Sequence, residues 1–96
     1  MILTKLRNNE SVTITESFHY VKRAKRDYCS SKLSYNVLKK HIPLFIKPSK
    51  KNKFRITFSH LETNKYNLVI IIFIETLDKI RLVSTFPESK SKLKED

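Results

Sequence analysis

Leu68 to Ile74 is an unbroken apolar run of seven residues, and few folds can accommodate it. A helix that crosses a bilayer needs about 20 apolar residues, so the run is too short to span one. It reads as a strand buried in the middle of a sheet. Thr76-Leu77-Asp78 then makes a tight connection, and Lys79 to Phe86 follows as a strand ended by Pro87. Upstream, Phe54, Ile56 and Phe58 alternate with Lys53, Arg55, Thr57 and Ser59, the pattern of a strand with one buried face.

The first half reads as helical. Thr13 and Glu16 have capping-box spacing, and Thr15 is a second possible cap. Ile14, Phe18, Val21 and Tyr28 then recur at helical spacing up to Cys29-Ser30-Ser31. A second helix is predicted from Ser34 as N-cap to about His41, with Leu33, Val37, Leu38 and Ile42 facing the core and Pro43 as its stop. Met1 to Leu6 reads as a short strand, Arg7 to Glu10 as a turn, and Leu44 to Ile46 as a strand closed by Pro48. The expected architecture is α+β, with two N-terminal helices packed on a three- to four-stranded antiparallel sheet. The whole chain, 1–96, reads as one domain with its core over about 13–87 and a flexible polar tail at 88–96.

Charge is the main functional signal. Twenty Lys and Arg stand against nine Asp and Glu, a formal net charge of +11 on 96 residues. Self-repulsion on that scale destabilises a small domain, which points to a polyanionic partner: RNA, DNA and anionic membrane are the candidates, and RNA or another nucleic acid is the expected one. No membrane partner is expected. Glycine is absent, so no P-loop, dinucleotide fingerprint or nucleophile elbow can be present. Turns must use Asn8-Asn9, Asn52, Asn64, Asn67 and Asp78 instead. The single cysteine, Cys29, and the start Met1-Ile2-Leu3 running into Thr4, Lys5 and Arg7 suit a reducing, cytoplasmic location without a secretory signal. Cys29, His19, His41 and His60 lack metal-ligand spacing, so no metal or other cofactor is expected. The carboxylates are scattered, leaving little for a two-metal nuclease or a glycosidase pair.

Two constellations could carry chemistry. At about 100° per residue, His19, Arg23 and Arg26 fall within about 60° of one another on the first helix, away from its apolar side. An imidazole beside two guanidiniums could hold a phosphate and move a proton. The competing reading is a solvated basic helix face. On the sheet, Arg55 and Thr57 share the polar side of one strand, and Arg81 and Thr85 one side of another. They read either as a phosphate-binding surface or as an ordinary solvent-facing one. If the helices cover the apolar sheet face, His19 cannot easily reach the polar face opposite. Aromatics interleaved with base, namely Phe18, Tyr20, Tyr28, Phe54, Phe58 and Tyr66, also allow stacking on nucleobases, although Phe18, Phe54 and Phe58 sit at core positions.

Two segments resemble a known group. "SFHYVKRAKRDYCSSKLS" at 17–34 is similar to the opening helix of small phage- and plasmid-associated nuclease-like domains. "NLVIIIFIETLDKIRLVSTFP" at 67–87 resembles their closing hairpin. The group is the barnase–EndoU–colicin–RelE superfamily, with its RelE-like and ParE-like toxins. The resemblance implies metal-independent RNA cleavage by a toxin or effector, with an acidic antitoxin or inhibitor protein as a further partner. In that chemistry a ribose 2′-OH attacks the neighbouring phosphorus, a base takes its proton, and cations hold the developing charge. His19 matches the helix His, Arg23 the following Arg, and Thr85 the hydroxyl ending the last strand; these three are the catalytic candidates. Arg26, Arg55, Thr57 and Arg81 are candidates for nucleic-acid binding from their faces alone. A second proton-transfer residue has no candidate, and ParE-like relatives act on gyrase rather than on RNA. Two other readings remain open: a non-catalytic nucleic-acid-binding regulator, and a protein-binding effector whose positive surface meets an acidic partner.

Overall fold

The aliphatic run lies in β4 (Tyr66–Thr76), the middle strand of a five-stranded sheet. The computed structural model describes residues 2–8 and 11–90. Its elements run α1 (Ile2–Arg7), β1 (Thr13–Glu16), α2 (Phe18–Arg23), α3 (Ser31–Lys40), β2 (Phe45–Lys50), β3 (Lys53–Ser59), β4 and β5 (Lys79–Ser89). The sheet order is β1-β5-β4-β3-β2. Neighbours from β2 to β5 are antiparallel, whereas β1 runs parallel to β5. The class is α+β, as expected, but with three helices and a mixed sheet.

Burial explains the layering. Leu68, Ile70 and Ile72 of β4 are fully buried together with Ile56 and Phe58 of β3 and Ile80 and Leu82 of β5. Leu3, Leu6, Tyr20, Leu33, Val37 and Leu38 from the three helices complete this cluster. Each such side chain contributes about 1.5–3 kcal/mol relative to leaving it exposed. The opposite sheet face is partly covered by the sheet's own side chains, with Val69 buried but Ile71 and Phe73 half-buried. There the Arg55 guanidinium lies 5.4 Å from the Phe86 ring centroid and pairs with Glu88.

A bulge in β5 changes which residues share a face. Ile71 pairs with Ser84 but Ile72 pairs with Leu82, so Val83 is the extra residue. Leu82 and Thr85 therefore both face the helices, while Arg81, opposite Phe73, faces away. Arg81 and Thr85 do not share one side as strict alternation predicts, because a bulge resets the period.

The N-terminal half departs most from expectation. Residues 2–7 form a helix, and Leu3 and Leu6 are buried at i,i+3 spacing. Met1, and residues 9 and 10 of the expected turn, lie outside the described residues. Thr13 to Glu16, read as a helix start, is β1, in register with Lys79 to Leu82. Its β-branched Thr13, Ile14 and Thr15 suit a strand. The helix begins instead at Ser17, whose Oγ accepts from the Tyr20 N–H at 3.0 Å. Its buried residue is Tyr20, and Phe18 is 77% exposed. Ser30, not Ser34, caps α3, so Ser34 lies inside the helix and is buried. Ile42 falls beyond the helix end and is exposed.

Both prolines read as strand ends lie within strands. Pro48 sits in the outermost strand, β2, and Pro87 in β5 past the stretch that β1 covers. At a sheet edge a missing N–H costs no ladder bond. Asn67 is inside β4 rather than in a turn, whereas Asn52 does take a left-handed turn conformation with φ 61°. The core reaches back to Leu3, and residues 88 and 89 of the expected tail belong to β5. Residue 90 follows directly, and residues 91–96 of that tail lie outside the described residues. No helix among the described residues is long and apolar enough to cross a membrane.

If β4 anchors the core, Ile70→Ala should cost about 2–5 kcal/mol in urea unfolding. Leu77→Ala, at the 81% exposed tip of the β4–β5 connection, should change stability by less than about 0.5 kcal/mol.

Candidate functional site

The chain after α2 folds back through successive tight turns. The N–H groups of Lys25, Arg26 and Cys29 donate to the carbonyls of Lys22, Arg23 and Arg26 at 3.4, 3.1 and 3.1 Å. Tyr28 closes the reversal with φ 64°, a conformation that bulky residues avoid. Buried His60 holds it there. Its Nδ1 accepts from the Glu62 N–H at 3.0 Å, so Nε2 carries the ring proton and donates to the Tyr28 carbonyl at 2.8 Å. The Tyr66 ring, at the start of β4, lies 5.1 Å from the Tyr28 ring.

This reversal forms one wall of a groove of about 580 Å³. Arg23, Lys25, Arg26, Asp27 and Tyr28 line that wall, with Cys29 below them. Thr85, Phe86 and Pro87 of β5, with Tyr66, form the other side. The groove exists because β1 pairs only with Lys79 to Leu82. Past that point the outer edge of β5 faces the α2 turn instead of another strand. Ser17 makes the junction: its N–H donates to the Leu82 carbonyl at 2.9 Å and its Oγ to the Val83 carbonyl at 2.9 Å.

Charge is distributed unevenly. Among the described residues, Arg23, Lys25 and Arg26 are in no ion pair. The sheet arginines, in contrast, are neutralised locally: Arg55 pairs with Glu88, and Arg81 with Glu75, which also pairs with Lys79. The groove cations are therefore not engaged by carboxylates among the described residues, as several surface lysines are not, and the groove brings three of them together. Beside them, burial pushes the Cys29 thiol up; the Thr85 hydroxyl and the Arg26 and Arg23 charges only partly offset this. A buried thiol held in its protonated form is a poor nucleophile.

The sequence-derived candidates therefore divide between two places. Arg23, Arg26 and Thr85 line the groove. His19 stands exposed next to it, where its Nε2 accepts a long 3.4 Å bond from Arg23 Nε. Arg26 lies in the turn rather than on the helix, because α2 ends at Arg23. Thr85 is fully buried at the groove floor, and its hydroxyl donates to the Val69 carbonyl at 3.0 Å. Arg55, Thr57 and Arg81 lie on the far face of the sheet, and Thr57 is buried. The helix and sheet constellations do not converge. Among the described residues no group of three or more His, Cys, Asp or Glu could hold a metal ion.

Lys25, Tyr28, Tyr66, Phe86 and His60 complete the site. For Lys25 and Tyr28 the available signal was the Arg-Ala-Lys-Arg-Asp-Tyr run at 23–28, where base adjoins an aromatic. Helical periodicity had assigned Tyr28 to the core.

Models of protein families, curated proteins and solved structures were each compared with the chain, and none matches it. Function is therefore read from the groove's own chemistry.

The two histidines should respond differently to removal. His60→Ala strips two backbone groups of their partner in a buried setting and should cost about 1–3 kcal/mol in chemical denaturation. His19→Ala removes a long, exposed bond and should stay within about 0.5 kcal/mol.

Proposed function

We propose that this protein binds nucleic acid, RNA foremost, through phosphate contacts in the groove between the α2 turn and β5. One observation carries the reading: Arg23, Lys25 and Arg26 are concentrated there without carboxylate partners among the described residues, while Arg55 and Arg81 are each occupied by one. Guanidiniums in such a position match phosphate oxygens through paired N–H donors. The net charge of +11 adds long-range attraction for any polyanion. Binding of this kind is largely independent of sequence.

The second reading is metal-independent RNA cleavage, in the manner of the superfamily that 17–34 and 67–87 resemble. The His19–Arg23 contact favours it, since it places an imidazole beside a phosphate-binding guanidinium. It is weakened by Thr85, whose hydroxyl is buried and already donates to Val69. His19 alone would also have to serve both proton transfers.

Fluorescence anisotropy with a short single-stranded RNA tests the first reading. With three phosphates neutralised, log K should fall with log salt at a slope of about −2, or more than tenfold between about 50 and 200 mM. Arg23→Ala with Arg26→Ala should make that slope shallower by about 1.4. Arg55→Ala should leave it unchanged. A flat salt dependence would remove the proposal. The second reading is tested by RNA cleavage with chelator present, where His19→Ala should lose about 10²-fold in rate. RNA that is bound but left intact by the wild type would retire it.

A further inference from the structure

We propose that the groove takes single-stranded rather than duplex nucleic acid, with an unstacked base lying on the ring of Tyr28. This rests on the reading of the groove as a nucleic-acid site and goes beyond it, because phosphate contacts alone would not distinguish the two.

The starting point is the conformation of Tyr28. Its φ of 64° is unfavourable for a bulky side chain and persists only where the surroundings enforce it. Three contacts do so: the 2.8 Å bond from His60 to its carbonyl, the edge-on His60 ring at 6.0 Å, and the Tyr66 ring at 5.1 Å. Strain of this kind would be unremarkable if it served to bury the ring. Yet Tyr28 remains 45% exposed. The effect is to hold a rigid aromatic in the groove beside Arg23 and Arg26.

The neighbouring chemistry fits a nucleotide. Tyr66 and Pro87 extend the apolar side of the groove, while Arg23, Lys25 and Arg26 supply cations next to it. A volume of about 580 Å³ lies in the range of small-ligand sites. Alternating phosphate-binding cations and aromatic platforms are the means by which proteins hold single strands. In a duplex each base face is already covered by its neighbours, so only an unpaired, splayed base can offer its π-face to Tyr28. Stacking does not discriminate among bases, and sequence preference should be weak.

The test compares three probes on the wild-type protein by anisotropy: a ten-nucleotide mixed-sequence single strand, the same phosphodiester backbone made abasic throughout, and the ten-base-pair duplex. A groove that worked by charge alone would prefer the duplex, which has the higher charge density. The expected order is the reverse, with the base-bearing single strand about tenfold or more tighter than the other two. The base-bearing and abasic strands should have the same salt slope, since stacking neutralises no phosphate. Tyr28→Leu should abolish most of the tenfold difference, and Tyr28→Phe should keep it. Equal affinity for base-bearing and abasic strands, with steep salt dependence intact, would overturn stacking and leave phosphate binding standing. Loss of salt-dependent binding to all three probes would overturn both. Should Tyr28→Leu not fold, the three probes on the wild type decide the matter alone.

Discussion

The molecule is organised by the need to cover β4 on every side. Its edges are taken by β3 and β5, and one face by the three helices. The other face has Val69 fully buried with Ile71 and Phe73 half-buried, and here Arg55, Phe86 and Glu88 provide cover. This division of labour decides which charges serve structure. A guanidinium that lies over a ring and pairs with a carboxylate is held by its own sheet. The cations of the α2 turn have no such duty.

Two local events convert this frame into a groove. The bulge at Val83 turns Thr85 inward, where its hydroxyl is satisfied by Val69. The end of β1 at Glu16 then leaves the outer edge of β5, from Val83 onward, without a strand partner among the described residues. Ser17 serves both strand and helix, since the oxygen that caps Tyr20 also donates to the Val83 carbonyl. The turn bearing Arg23 and Arg26 is thereby aligned beside the edge it helps to enclose.

Legibility in the sequence followed the strength of the local pattern. The run at 68–74 was readable because seven successive apolar residues admit few alternatives, and its central place follows from burial on both faces. The alternation at 53–59 and the buried Leu33, Val37 and Leu38 were legible for the same reason. Thr13 to Glu16 was misread because capping-box spacing is a short signal, while its pairing with β5 is long-range. The six-residue α2 offers too few turns to fix a face, so one register error exchanged Phe18 for Tyr20 at the core. Among the site residues, Arg23 and Arg26 were found by their spacing. The bulge and the left-handed Tyr28, which decide what surrounds them, leave no periodic trace.

The Ser17–Val83 bond joins positions 66 residues apart. β1 also pairs with a strand far downstream of it, since Thr13 meets Lys79. The hairpin of β4 and β5, by contrast, turns on two residues, Leu77 and Asp78. Loop closure over a long stretch is slow because its entropy cost precedes any reward. The antiparallel meander therefore provides the surface on which the earlier-made segment must dock. β1 and the α2 turn lack the strand edge on which they dock until β5 has been made, so the groove needs both ends of that long-range junction.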